Sequence, residues 1–196
     1  MYKSGKIPPL DPLNPHIYRD IGLVDAGAMI FQKGLYNQLL DITLRSNLLT
    51  SSQGACRPNC QNFDTIYTLT SYIRHQLLVQ NHPTYVFFGD IELAFPSVFR
   101  ELLLLRLRDL QVPSPLLQHL RALHNNLQDR IHHTFVPPSS FINVVKGLTE
   151  GGRLSPLLWG LYISDLVRTL QQVFPHLTIP GYVRGHGYQV IWGKLH

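Results

Sequence analysis

The clearest structural signal in the chain is the run Tyr85-Val86-Phe87-Phe88-Gly89-Asp90-Ile91. Aromatic and β-branched residues favour strands, and prolines bound the run at positions 83 and 96, so it predicts a short buried strand. Asp90 comes at the end of that strand, against the predicted core. A lone carboxylate in such a place is costly unless a cation meets it.

Helical patterns lie on both sides of this strand. Before it, apolar residues recur at helical spacing from Ala28 to about Leu49 and from about Asn62 to Val79. After it, Pro96-Ser97 is predicted to open a helix that ends near Leu110. Serine–proline pairs are typical of helix starts, and they predict two further helices that begin at residues 114 and 155.

The remaining elements are predicted to be short strands. Ile131–Phe135 and Phe141–Val145 form a candidate pair around two prolines, and Leu177–Leu195 is predicted to hold one or two strands. Residues 1–24 are rich in proline and glycine and are expected to be irregular and extended. With no internal repeat and no clear linker, the chain is predicted to be an α+β domain with a small antiparallel sheet.

The composition excludes several classes of protein. Hydrophobic residues make up 44% of the 196 residues and charged residues 15%, which disfavours disordered, collagen-like and coiled-coil chains. The apolar runs are too short to span a bilayer, so no membrane partner is expected. No apolar stretch follows the basic N-terminus, and two cysteines are too few for a disulfide scaffold. We therefore expect an intracellular protein, nuclear or cytoplasmic.

The charge balance favours a polyanionic partner. The chain has 17 lysines and arginines against 12 aspartates and glutamates, which gives a net charge of +5 at neutral pH. The acidic residues are unevenly placed, because residues 166–196 contain no aspartate or glutamate. Any chemistry that needs carboxylates in that segment is therefore excluded.

Blocks of the chain resemble, in the same order, the signature motifs of reverse transcriptases, and among these the non-LTR (LINE-like) retrotransposon branch. Lys3–Ile21 and Gln53–Ile66 are similar to the two fingers signatures, Phe88–Val98 to the first palm motif and Gly147–Leu158 to the second. Leu161–Leu166 continues the helix of the second motif in the same way. The resemblance covers about residues 2–180.

This resemblance implies a fold, a reaction and partners. The fold is a right-hand polymerase, with residues 1–196 as one reverse-transcriptase domain: fingers over about 1–82 and a partial palm over about 83–196. The small antiparallel sheet would be the palm sheet. The implied reaction is RNA-directed DNA synthesis by two-metal nucleotidyl transfer, with an RNA template, a DNA primer and deoxynucleoside triphosphates as partners.

The resemblance also implies roles for individual residues. Asp90 would be the catalytic carboxylate and, with the main-chain carbonyl of Ile91, a ligand of two Mg²⁺ ions. Arg19 would bind the triphosphate, Phe95 would exclude the ribose 2′-hydroxyl, and Gly151 would let the backbone approach the nucleotide. Plainer interpretations stay open: a helix cap or loop acid for Asp90, an exposed loop for Arg19, and core packing for Phe95.

The chain departs from the family pattern at the third palm motif, which should supply two adjacent aspartates on a tight hairpin. The corresponding segment Ile179–Trp192 contains no carboxylate, and the sequence printed ends at His196 with no room for a thumb. Pro96 and Glu150 replace the usual aspartate and glutamine. We therefore expect a truncated or decayed reverse-transcriptase domain that is inactive alone. The alternatives are a non-catalytic nucleic-acid-binding module and an α+β domain whose motifs are residual.

Overall fold

The structure is a computed structural model that describes residues 24–50, 53–54, 57–91, 93–125, 127–131, 137–175, 177–178, 181–184 and 187–194. For residues 62, 87, 88 and 90, and for the strands after residue 175, only the backbone is described. In the described part of the chain, no helix is both long and apolar enough to cross a membrane.

Five helices make up most of the described fold: α1 (Ala26–Arg45), α2 (Asn62–Leu78), α3 (Arg100–Asp109), α4 (Ser114–Asn125) and α5 (Ser155–Val173). Helix α1 begins where the Asp25 carboxylate accepts hydrogen bonds from the amides of Gly27 and Ala28, at 2.8 and 3.3 Å. Helix α5 has Pro156 in its first turn, as predicted. The Ser155 side chain does not cap this helix, because its hydroxyl donates to the Thr149 carbonyl at 2.6 Å.

The prediction that Pro96-Ser97 opens a helix is wrong, since α3 begins at Arg100. Residues 93–97 form a turn in which the Ser97 amide donates to the Leu93 carbonyl at 2.8 Å. The carbonyls of Phe95 and Val98 accept hydrogen bonds from residues about 50 positions further along the chain. These long-range bonds hold residues 95–98 in a non-helical conformation, so the helix begins only at Arg100.

The main sheet has four strands: β1 (Tyr85–Ile91), β4 (Leu177–Thr178), β5 (Gly181–Arg184) and β6 (Gly187–Lys194). All seven residues of β1 pair antiparallel with β6, from Tyr85 opposite Lys194 to Ile91 opposite Tyr188. Strands β4 and β5 both pair with β6, also antiparallel. The expectation that the Tyr85–Ile91 strand lies beside the C-terminal segment is confirmed. The prediction of a buried strand is wrong at its first residue, because Tyr85 is 64% exposed.

A second, two-stranded sheet pairs β2 (Gln128–Asp129) with β3 (Ile142–Asn143). A strand pair around the two prolines was predicted, but each strand is only two residues long and the first comes before residue 131. Residues 132–135 of the predicted first strand lie outside the described residues. The α+β class and the small antiparallel sheets are thus confirmed, with corrected bounds.

The core is helical. Leucines on α1, α3, α4 and α5 have almost no exposed surface. The most completely buried are Leu39, Leu107, Leu120, Leu157, Leu158 and Leu161. Complete burial of one such side chain contributes about 1.5–3 kcal/mol relative to leaving it in water. Ile91, at the end of β1, packs against this cluster while partly exposed. The core therefore supports the turn that follows β1, in the segment that resembles the first palm motif.

Candidate functional site

Asp90 and Ile91 end strand β1 and lie in register with the hairpin formed by β5 and β6. Asp90 is opposite Gln189 of β6, which in turn is opposite Tyr182 of β5. The hairpin closes where Arg184 pairs with Gly187. The backbone thus brings the predicted first palm motif next to a tight antiparallel hairpin, as the resemblance implies for the third. Whether Asp90 and the Ile91 carbonyl bind metal remains a prediction.

Phe95 lies in the turn after β1 and belongs to the core. It is 4% exposed, and its ring meets that of Trp159 edge-on, with the ring centroids 6.3 Å apart. This is the packing role that the sequence left open beside nucleotide selection. A contact between the Phe95 ring and a nucleotide stays a prediction.

Two main-chain hydrogen bonds join the segments that resemble the first and second palm motifs. The Gly147 amide donates to the Val98 carbonyl, and the Leu148 amide donates to the Phe95 carbonyl, both at 2.9 Å. Gly147 has a φ of +85°, and a Cβ built on it would lie 2.8 Å from the Cα of Pro96. Only glycine tolerates both the left-handed conformation and this close approach. The two motifs therefore form one packed unit.

Arg100 holds this unit to two neighbouring segments. Its Nε donates to the Gly147 carbonyl at 2.7 Å, and its Nη1 donates to the carbonyls of His124 at 2.8 Å and Val144 at 2.6 Å. Its Nη2 donates to the Lys146 carbonyl at 3.2 Å. Burial lowers the pKa of Arg100, and nearby Asp129 opposes that shift. A guanidinium presents several donors in a fixed planar arrangement and can bond to several carbonyls at once. Arg100 therefore connects the start of α3 with α4 and with the segment that follows β3.

Gly151 lies in the turn that leads into α5, with a φ of +79° and an exposed position. The next residue, Gly152, is buried, and a Cβ there would lie 3.0 Å from the Ser155 hydroxyl oxygen. The buried side chain of Gln32, on α1, accepts a hydrogen bond from the Arg153 amide at 3.1 Å. The turn is thus held from both sides, while Gly151 itself remains accessible; its nucleotide contact stays a prediction.

Sequence reasoning missed Gln32 and Arg100. Arg100 lies two residues after the segment that resembles the first motif, and this position could have marked it as a candidate residue. Gln32 gives no signal, because it lies in an ordinary amphipathic helix. Arg19, the predicted triphosphate ligand, lies outside the described residues.

The donor set at the hairpin does not fit two Mg²⁺ ions. Two divalent ions at close range need several converging carboxylates. The β6 residues opposite the end of β1 are Tyr188, Gln189 and Val190, and no carboxylate follows Asp165 in the sequence. Among the side chains that the structure describes, which exclude Asp90, no group of three or more His, Cys, Asp or Glu residues is placed to hold a metal ion.

Comparison with known proteins supports a reverse-transcriptase-like relationship. A probable RNA-directed DNA polymerase from the transposon BS of Drosophila melanogaster is 26% identical to the chain over 155 residues. The alignment covers 78% of the chain and 17% of that polymerase, so the chain corresponds to a small part of the relative. No family model matches the chain.

Proposed function

We propose that this chain is the palm-containing core of a reverse-transcriptase-like protein of the non-LTR retrotransposon type. The observation that carries the proposal is the pairing of β1 with the β5–β6 hairpin, which aligns Asp90 with Gln189. The hydrogen bonds from Gly147 and Leu148 to the turn after β1 add the second motif to the same unit. The similarity to a transposon polymerase supports this interpretation.

Nucleic acid is the proposed partner, as an RNA template annealed to a DNA primer. The net charge of +5 favours a polyanion. Because phosphate neutralisation releases counterions, binding by such a surface falls steeply as salt is added. We expect weak association at moderate salt and clear association at low salt.

Catalysis by this chain alone is not part of the proposal. Asp90 supplies two carboxylate oxygens, and the hairpin beside it supplies none. Ions held about 4 Å apart repel each other strongly unless anionic ligands surround them. This favours a chain that binds a template–primer duplex without extending it, which is the non-catalytic alternative left open by the sequence.

The test combines binding and primer extension on the full chain. An RNA–DNA template–primer duplex is titrated with the protein at low and moderate salt, and extension is then measured with Mg²⁺ and with Mn²⁺. We expect salt-dependent binding and no extension. Failure to bind the duplex at low salt would refute the reverse-transcriptase-like function. Extension that Asp90→Ala abolishes, and that the exposed control Asp109→Ala preserves, would refute the non-catalytic part.

A further inference from the structure

An open cleft of about 770 Å³ lies between the start of α3 and the two-stranded sheet of β2 and β3. Its size is within the range of sites that hold small organic ligands. None of its lining residues belongs to the palm motifs implied by the resemblance, because they come from residues 99–101, 125, 127–128 and 143–146. The cleft is therefore a feature separate from the proposed palm site.

Carboxamide side chains form the polar part of the lining. Gln128 donates from Nε2 to Oδ1 of Asn143 at 2.8 Å, and both residues are exposed. Among the described residues, the Gln128 Oε1 and the Asn143 Nδ2 have no other partner. The pair thus leaves one acceptor and one donor in the lining of the cleft. Paired carboxamide groups of this kind match the donor–acceptor edge of a nucleobase.

Charge and aromatic surface complete the lining. Two cations, Arg100 and Lys146, line the cleft against one described carboxylate, Glu101, which pairs with Arg121 at 3.1 Å. Phe99 is 64% exposed at the edge of the cleft, although it precedes a core helix. An exposed aromatic ring can stack on a base, and an exposed lysine can neutralise a phosphate.

We propose that this cleft binds one unpaired nucleotide of a single-stranded nucleic acid. The carboxamides of Gln128 and Asn143 bind the base edge, Phe99 stacks on the base, and Lys146 binds a flanking phosphate. A duplex keeps its Watson–Crick edges paired, so only an unpaired base presents that edge to the carboxamides. Lys146 directly precedes Gly147, so the bound strand passes beside the joint between the two palm motifs.

The test is a titration of the full chain with fluorescein-labelled single-stranded oligonucleotides, followed by anisotropy. Asn143→Ala should weaken binding about fivefold or more, because a good base-edge contact is worth about 1–3 kcal/mol. Lys146→Gln should lower the slope of log K against log salt by about 0.7, the value for one phosphate of a single strand. The control Arg45→Gln removes a 79%-exposed cation on α1 and should leave affinity within about twofold.

A photoreactive thiouridine in the oligonucleotide provides a second measurement that does not depend on variants. We expect its crosslink to map to residues 99–101 or 125–146. Unchanged affinity in Asn143→Ala, an equal loss in Arg45→Gln, or a crosslink that maps elsewhere would overturn the proposal. If the chain binds a template–primer duplex normally while these results appear, the cleft proposal fails and the proposed function stands. Absence of binding to any oligonucleotide would overturn both.

Discussion

Gly147→Ala is the substitution that most sharply tests how the two segments that resemble palm motifs are joined. An alanine at a φ of +85° costs about 1–2 kcal/mol in backbone strain. Its Cβ would lie 2.8 Å from the Pro96 Cα and 2.9 Å from the Pro96 carbonyl oxygen, so the backbone must move. That movement weakens the bonds from Gly147 and Leu148 to the first motif, at about 0.5–1.5 kcal/mol each. We expect a total loss of about 2–5 kcal/mol.

Urea unfolding at constant pH measures this loss, and Gly34→Ala is the matched control. Gly34 lies in α1 with no atom within 4 Å of an added Cβ, and alanine favours helices over glycine by about 1 kcal/mol. The control should therefore be as stable as the wild type or more so. A Gly147→Ala variant that unfolds within about 0.5 kcal/mol of the wild type would refute the close packing of the two motifs.

Other predictions concern buried polar groups. Arg100→Lys keeps the charge but loses the fork, and hydrogen–deuterium exchange should show faster exchange at the Gly147 and Leu148 amides than in the wild type. Burial lowers the pKa of His124 in the folded chain, so the unfolded chain takes up a proton first as the pH drops below about 6.5. The free energy of unfolding should therefore fall between pH 7 and 5. Urea titrations should show a smaller fall for His124→Gln. Gln53→Ala removes a buried bond to the Gly160 carbonyl and should lower the thermal midpoint by several degrees.

Local sequence signals predicted most of the elements, but they missed the start of α3, the bounds of β2 and β3, and the division of the last segment into three strands. The aromatic and β-branched run from residue 85 to 91 predicted strand β1, because these residue types favour strands wherever they lie. The start of α3 was placed too early, since the hydrogen bonds from Gly147 and Leu148 override the local helix signal at Pro96. Local reasoning weighs only neighbours in sequence.

The candidate site was likewise predicted only in part. The roles of Asp90, Ile91 and Gly151 were predicted from the resemblance to reverse-transcriptase motifs and remain predictions. The structure confirms only that the strand ending in Asp90 and Ile91 pairs with the C-terminal segment. The hydrogen bonds from Arg100 to main-chain carbonyls were not predicted, because the acceptors at positions 124, 144, 146 and 147 come together only in the fold. The cleft at Asn143 was missed for the same reason.

Strand β1 places Asp90 opposite Gln189, in a hairpin whose sequence contains no carboxylate, and Mn²⁺ binding followed by electron paramagnetic resonance tests the importance of that missing carboxylate most directly. Gln189→Asp places a second carboxylate at the position paired with Asp90, whereas Val190→Asp places one at the neighbouring position, on the opposite face of the sheet. We expect the Gln189→Asp variant to bind Mn²⁺ at least about tenfold more tightly than the wild type or the Val190→Asp variant. Tight binding by the wild type that Asp90→Ala removes, or equal gains in both variants, would contradict it.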